Sequence, residues 1–174
     1  SLEDGLSLGI IDEAEPDPSR AVAGADLVVM AVPVQANAAV LEAIREALPE
    51  RAILSDVGSV KGRFVADVER VFGYLPSRLV PGHPIAGSEK SGVGAASACL
   101  FERHKVILTP SDQTDSAALS ELAGFWSACG AEVLTMPVAR HDEVLAATSH
   151  LPHLIAFSLV DTLAGEDDNL EIFR

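Results

Sequence analysis

Short, continuously apolar runs alternate along the chain with longer stretches whose apolar residues recur every three or four positions. That alternation predicts an α/β domain with a mainly parallel sheet. Leu27-Val28-Val29-Met30-Ala31-Val32 is apolar throughout, as a strand covered on both faces should be. Ala36 to Leu48 follows, with Ala39, Val40, Ala43, Ile44 and Leu48 at helical spacing and Pro49 as the stop. Next come a strand at about Ala52 to Ser55, a helix from about Val60 to Phe72 and a short strand Arg78-Leu79-Val80. A glycine- and serine-rich stretch runs from His83 to His104. Beyond it, Lys105-Val106-Ile107-Leu108 reads as a strand ended by Pro110, Ser116 to Cys129 as a helix, and Ala131 to Met136 as the last strand.

The pattern changes after Pro137. From Val138 to Leu163 no strand signal occurs, only a long helical pattern with Pro152 inside it. A proline there removes one helical hydrogen bond, which predicts a kink near Thr148–Pro152. Leu151, Leu154, Ile155, Phe157, Leu159, Val160 and Leu163 occupy every face of the second half. A helix apolar all round needs cover, and too little chain follows to supply it. A partner subunit or further chain is expected there, and a dimer or an aggregation-prone monomer follows. The domain boundary is placed near Pro137, giving residues 1–137 and 138–174.

Composition narrows the function. Twelve Lys+Arg against 26 Asp+Glu give a net charge of −14 over 174 residues, so a basic face for nucleic acid is hard to assemble. An acidic field also repels anions at long range, and an anionic ligand would need a locally positive pocket. Cys99 and Cys129 have no ligand-like spacing to histidine, and two buried, reduced thiols are expected, with no metal. No apolar run approaches the ~18 residues of a membrane span and no leader opens the chain. A soluble, cytoplasmic protein is expected, and a start at Ser1 fits a fragment.

In an open parallel sheet, ligands bind beyond the carboxyl ends of the strands. Three such ends carry unusual residues: Val32-Pro33-Val34-Gln35, Ser55-Asp56-Val57-Gly58-Ser59-Val60-Lys61-Gly62, and Val80-Pro81-Gly82-His83-Pro84-Ile85-Ala86-Gly87-Ser88-Glu89. Each admits a plain reading. Pro33 can simply stop a strand, and Ser59 can be only the N-cap of the next helix. Lys61 in a first helical turn opposes the helix dipole, which favours anion binding over a structural role. His83, between Gly82 and Pro84, reads either as a catalytic strand-end histidine or as a turn residue. Ser149-His150-Leu151-Pro152-His153 sets two histidines three apart, without a neighbouring carboxylate or thiol to complete a metal site. His104 and His141 read as surface residues. Gly92-Val93-Gly94-Ala95-Ala96-Ser97 misses the dinucleotide fingerprint, because it follows no strand and Ser97 replaces the third glycine.

Together, Ala31-Val32-Pro33-Val34, Asp56-Val57-Gly58-Ser59-Val60-Lys61, Gly82-His83-Pro84-Ile85-Ala86-Gly87 and Ser149-His150-Leu151-Pro152-His153 resemble the prephenate and arogenate dehydrogenases, in order as well as content. The resemblance implies a Rossmann-like, mainly parallel sheet without its N-terminal strand-helix-strand, followed by the start of an all-helical dimerisation domain. It also implies oxidation of prephenate or arogenate with NAD or NADP, hydride leaving the ring carbon that bears the hydroxyl while carbon dioxide is lost. His83 then accepts the hydroxyl proton, a task worth about 10²–10⁴-fold for a placed imidazole. Ser59 orients His83 and approaches the nicotinamide. Val32 and Pro33 lie beside the cofactor ribose and nicotinamide, with Ser59 and Lys61 also on the cofactor. Glu89, Gly87 and His150 face the substrate, and the assembly is a homodimer.

The sequence departs from that family at both ends. The glycine-rich turn that holds the cofactor pyrophosphate does not occur in it, nor do the later helices with the arginine that grips the substrate carboxylate. This stretch alone is therefore expected to bind NAD or NADP weakly. A non-catalytic fragment or dimerisation module is the alternative. A dehydrogenase of the same superfold acting on β-hydroxy acids is a third reading, which the Ser149–His153 motif opposes.

Overall fold

The computed structural model describes residues 2–87 and 92–166. Two compact units divide at Val138 and Ala139. The first opens with two short helices, α1 (Leu2–Ser7) and α2 (Pro18–Val22). The Asp17 carboxylate caps α2 by accepting from the Ser19 N–H. Strand β1 (Leu27–Met30), helix α3 (Asn37–Ile44), strand β2 (Ile53–Asp56) and helix α4 (Lys61–Phe72) form one βαβα run. Strands β3 (Gly82–Pro84) and β4 (Lys105–Leu108), helix α5 (Ser116–Ala128) and strand β5 (Glu132–Thr135) complete the unit.

β1 and β2 are parallel, with Leu27 opposite Ile53 and Met30 opposite Asp56. Leu79 makes a single parallel bridge to Leu54, and Val80 N–H donates to Leu54 O. Pro81 has no N–H to continue that ladder. Past it the strand changes neighbour, and His83 pairs with Ile107 of β4 in antiparallel register. β4 and β5 are again parallel. The expected mainly parallel pairing is present, in two small sheets, β1-β2 and β3-β4-β5, linked by the Leu54–Leu79 bridge, but the short strand predicted at 78–80 is displaced to 82–84 and its outer pairing is antiparallel. His83 accordingly lies inside a strand rather than in the turn after one.

Successive strand residues face opposite sides of a sheet, and the core divides that way. Leu54 and Leu79 join Leu41, Ile44, Phe64 and Val68 under α3 and α4. Ile53 and Val80 join Val106, Leu108, Leu122 and Trp126 under α5. Helices thus cover both faces of the first unit, an α/β layer arrangement.

The second unit is helical: α6 (Val138–Leu145), a π-helical turn at Ala146–His150, and α7 (Leu151–Glu166). The Leu151 N–H reaches back to Ala146 O. The predicted irregularity before Pro152 is this change of winding, since a proline cannot donate to the carbonyl four residues earlier and a wider turn absorbs the mismatch. Leu151, Leu154, Ile155, Phe157, Leu159 and Val160 are exposed, Phe157 by 73%. From Val138 to Ala164 the helical stretch is 27 residues, long and apolar enough by length and composition to cross a membrane. Thr148, Ser149, His150 and His153 interrupt its apolar run without lowering the average much, so no unbroken apolar segment of that length marks it in the sequence.

Three smaller expectations need correction. Cys99 is exposed and Cys129 half-buried, so neither is a core thiol; the Cys99 Sγ lies 3.2 Å from the Ser97 hydroxyl. His141 is buried, with Nδ1 2.8 Å from Asp142 Oδ1, whereas His104 is exposed as expected.

Candidate active site

The ends of β1 and β2 and the start of β3 converge. Val57 N–H donates to Met30 O at 3.1 Å, which carries the β2 turn alongside the end of β1. Within that turn the Asp56 carboxylate folds back, and its Oδ2 accepts from the Gly58 N–H at 3.0 Å. Gly58 is needed there by contact: a Cβ on it would stand 2.9 Å from Asp56 Oδ2 and 3.7 Å from Val34 Cγ2. The other oxygen, Oδ1, accepts from the Gly82 N–H at 3.3 Å. Gly82 is equally confined, since its Cβ would meet Asp56 O at 3.1 Å and Leu108 Cδ2 at 3.3 Å. All three strand ends are therefore tied within one turn's reach of Asp56.

Lys61 completes the hub. Its Nζ donates to Asp56 Oδ2 and to Gly82 O, each at 2.5 Å, and sits 5.6 Å from the Phe64 ring centroid, a favourable place for a cation. The lysine is fully buried and its carboxylate partner nearly so. Burial pushes the Asp56 carboxyl above its ordinary value, against the opposing pull of the Lys61 ammonium and the Gly58 and Gly82 amides. Where direct anion binding was expected of Lys61, its ammonium is buried against an interior carboxylate and a carbonyl.

Ser59 is exposed and does not cap α4; the N-cap is Val60, without a side-chain bond. Its hydroxyl is thus not committed to the helix. His83 is buried in β3, one residue after Gly82. Pro33 is exposed and Val32 half-buried at the end of β1. Gly87 is exposed, with open space where a Cβ would be. Glu89 lies outside the described residues. His150 is exposed in the π-helical turn of the second unit, and the nearby His153 ring stacks on Phe157 at 6.5 Å. The residue at the centre of this network to which the sequence pattern assigned no role is Asp56. Its signal was a carboxylate ending a buried strand, five residues before a lysine.

Residues 1–150 match the family model for the prephenate dehydrogenase nucleotide-binding domain, and residues 137–174 match that for the prephenate dehydrogenase dimerization domain. The chain belongs to the prephenate dehydrogenase family. Among relatives, it is 42% identical over 161 residues to the cyclohexadienyl dehydrogenase of Zymomonas mobilis, covering 92% of this chain and 53% of that protein. It is 39% identical over 158 residues to the prephenate dehydrogenase of Bacillus subtilis, covering 89% and 42%. The crystal structure of prephenate dehydrogenase from Aquifex aeolicus, in complex with hydroxyphenyl propionate and NAD+, superposes with a TM-score of 0.86 at 40% identity, over 94% of this chain and 57% of that one. The chain spans about half the length of the curated relatives it matches. A Rossmann-like domain followed by the family's dimerisation helix is the fold these likenesses share with it.

Proposed function

We propose that the protein containing this chain oxidatively decarboxylates prephenate or arogenate, with hydride transfer to NAD or NADP, in tyrosine biosynthesis. The observation that carries the reading is the Asp56 hub, which fixes the Ser59 turn and the His83 strand to one carboxylate in a chain of this family. The carboxyl ends of β1 and β2 meet the start of β3 there, and α/β folds place their ligands in the crevice beyond such carboxyl ends.

The residues present fit the nicotinamide end of the cofactor. Val32 and Pro33 supply an apolar wall at the end of β1, and Gly58 keeps the neighbouring turn free of a side chain. A bound nicotinamide would supply the acceptor for the hydride of the ring carbon. His83, as the neutral imidazole, takes the proton of the ring hydroxyl; the C–H pair departs with the hydride, while the pair of the breaking carbon–carboxylate bond enters the ring, which becomes aromatic as carbon dioxide leaves. Ser59 orients that imidazole. Gly87 leaves room for substrate at the rim, while Glu89 and His150 are assigned to the substrate from the family motif alone. Lys61 acts from behind the site and not on the cofactor.

We further read the protein as two domains, 1–137 for nucleotide and 138–174 as the start of the helical part. Homodimerisation covers the exposed apolar face of α7, and the match to a dimerization domain supports it. A cytoplasmic location suits an enzyme that consumes a nicotinamide cofactor. The test is turnover of the complete protein with each substrate and each cofactor, read as reduced nicotinamide. Turnover in at least one pairing is expected; none in all four refutes the reading.

A further inference from the structure

Behind the crevice stands a pair of charges that touches no surface. Buried ion pairs are weak evidence for stability, because desolvation offsets much of their attraction. The hydrogen bonds of this one point to something else. Asp56 Oδ2 holds the Gly58 N–H, and Asp56 Oδ1 holds the Gly82 N–H. Gly58 precedes Ser59, and Gly82 precedes His83. Lys61 Nζ bonds Asp56 and also the Gly82 carbonyl, which is the oxygen of the peptide that links Gly82 to His83. Both peptide groups flanking the Gly82 Cα are thus held from the β2 side. The close approach of Gly82 to Asp56 O leaves no slack in that direction.

We propose that Asp56 and Lys61 are positioning residues of the dehydrogenase reaction, a buried clamp that sets the spacing between Ser59 and His83 and so the reach of the His83 ring to the substrate hydroxyl. The inference rests on the assignment of His83 as the base. Both clamp side chains are buried, Lys61 fully and Asp56 nearly so. Loosening the clamp lets the start of β3 shift, and a displacement of about 1 Å at a reacting group lowers turnover by roughly 10²-fold.

The experiment compares Lys61→Met, Asp56→Asn, the double variant Asp56→Asn/Lys61→Met, Asp56→Glu and His83→Asn in the complete enzyme. Each is followed by steady-state kinetics with prephenate and NAD+, by a pH–rate profile and by urea unfolding. Each neutralising single variant strands one buried charge and loses stability. The double variant strands none and recovers most of that stability. Its kcat is expected to stay about 10²-fold below the parent, with both KM values within a few-fold. The acid limb of its pH profile should not move, because the deleted pair was neutral overall. A merely structural pair would return kcat together with stability. Asp56→Glu keeps both charges but lengthens the clamp by one methylene, and a fall in kcat at unchanged KM is expected there too. Parent-like kcat in a folded double variant, or in Asp56→Glu, overturns the proposal. His83→Asn separates the two levels. If it retains turnover, the assignment of the base fails and this inference falls with it; if it is inactive while the double variant turns over normally, only the clamp is refuted.

Discussion

Gly58→Ala probes the tightest point of the strand-end assembly. The added Cβ would lie 2.9 Å from Asp56 Oδ2, well inside carbon–oxygen contact. An exposed carboxylate would swing aside at little cost. This one is held by Lys61 and by the Gly58 and Gly82 amides, so moving it weakens hydrogen bonds to a charged group, worth about 1.5–3 kcal/mol each. Forcing extra volume into a packed site costs about 1–3 kcal/mol by itself. Stiffening of the unfolded chain returns about 0.4–1 kcal/mol. A net loss of about 2–3 kcal/mol results if the site relaxes partway. Urea unfolding followed by Trp126 fluorescence measures it, as a lower midpoint with the slope m unchanged. Gly124→Ala is the control: it lies within α5 with nothing within 4 Å of its Cβ position, and should stabilise by about 0.5–1 kcal/mol. A Gly58→Ala midpoint at or above the parent's would refute the hub geometry.

Because burial raises the Asp56 carboxyl above its ordinary 3.8, its contribution to stability is fully present below that value and is lost as pH rises through the raised one. The stability difference between the parent and Asp56→Asn/Lys61→Met should therefore shrink with rising pH in the acid range; a difference that is flat or grows would contradict the shift. Trp126 Nε1 is buried and has no hydrogen-bond partner among the described residues. Trp126→Phe removes that unsatisfied donor and should cost less than about 1.5 kcal/mol in urea unfolding, against about 3–5 for Trp126→Ala. Phe157→Glu puts a charge on the exposed apolar face of α7 and should convert a dimer to monomer in sedimentation equilibrium of the complete protein; an unchanged mass would move the interface elsewhere.

The fold was legible wherever one period dominated. The apolar run beginning at Leu27 and the helical spacing of Ala36–Leu48 mark β1 and α3 to within a few residues. What escaped was decided by tertiary partners. Pro81 and the competing edges of β2 and β4 determine that His83 lies in a strand paired antiparallel, and no local signal carries that choice. Ser59 has the composition of an N-cap, yet the Asp56–Gly58 turn places the helix start one residue later. Lys61 reads as an anion ligand because a cation in a first helical turn is locally unfavourable. Its compensation comes from Asp56 five residues earlier and from a carbonyl twenty-one residues later. The histidines split similarly: His104 is exposed and His141 buried, although neither has distinguishing neighbours in sequence.

The central claim is that His83 is the base on the substrate hydroxyl, and His83→Asn in the complete enzyme tests it most directly. Turnover and NAD+ affinity are to be measured on the same preparation, with Ser59→Ala alongside. A fall in kcat of about 10²–10⁴-fold is expected with NAD+ affinity nearly unchanged, and a smaller fall for Ser59→Ala, which removes an orienting bond rather than the base. A His83→Asn enzyme that turns over within a few-fold of the parent would contradict it.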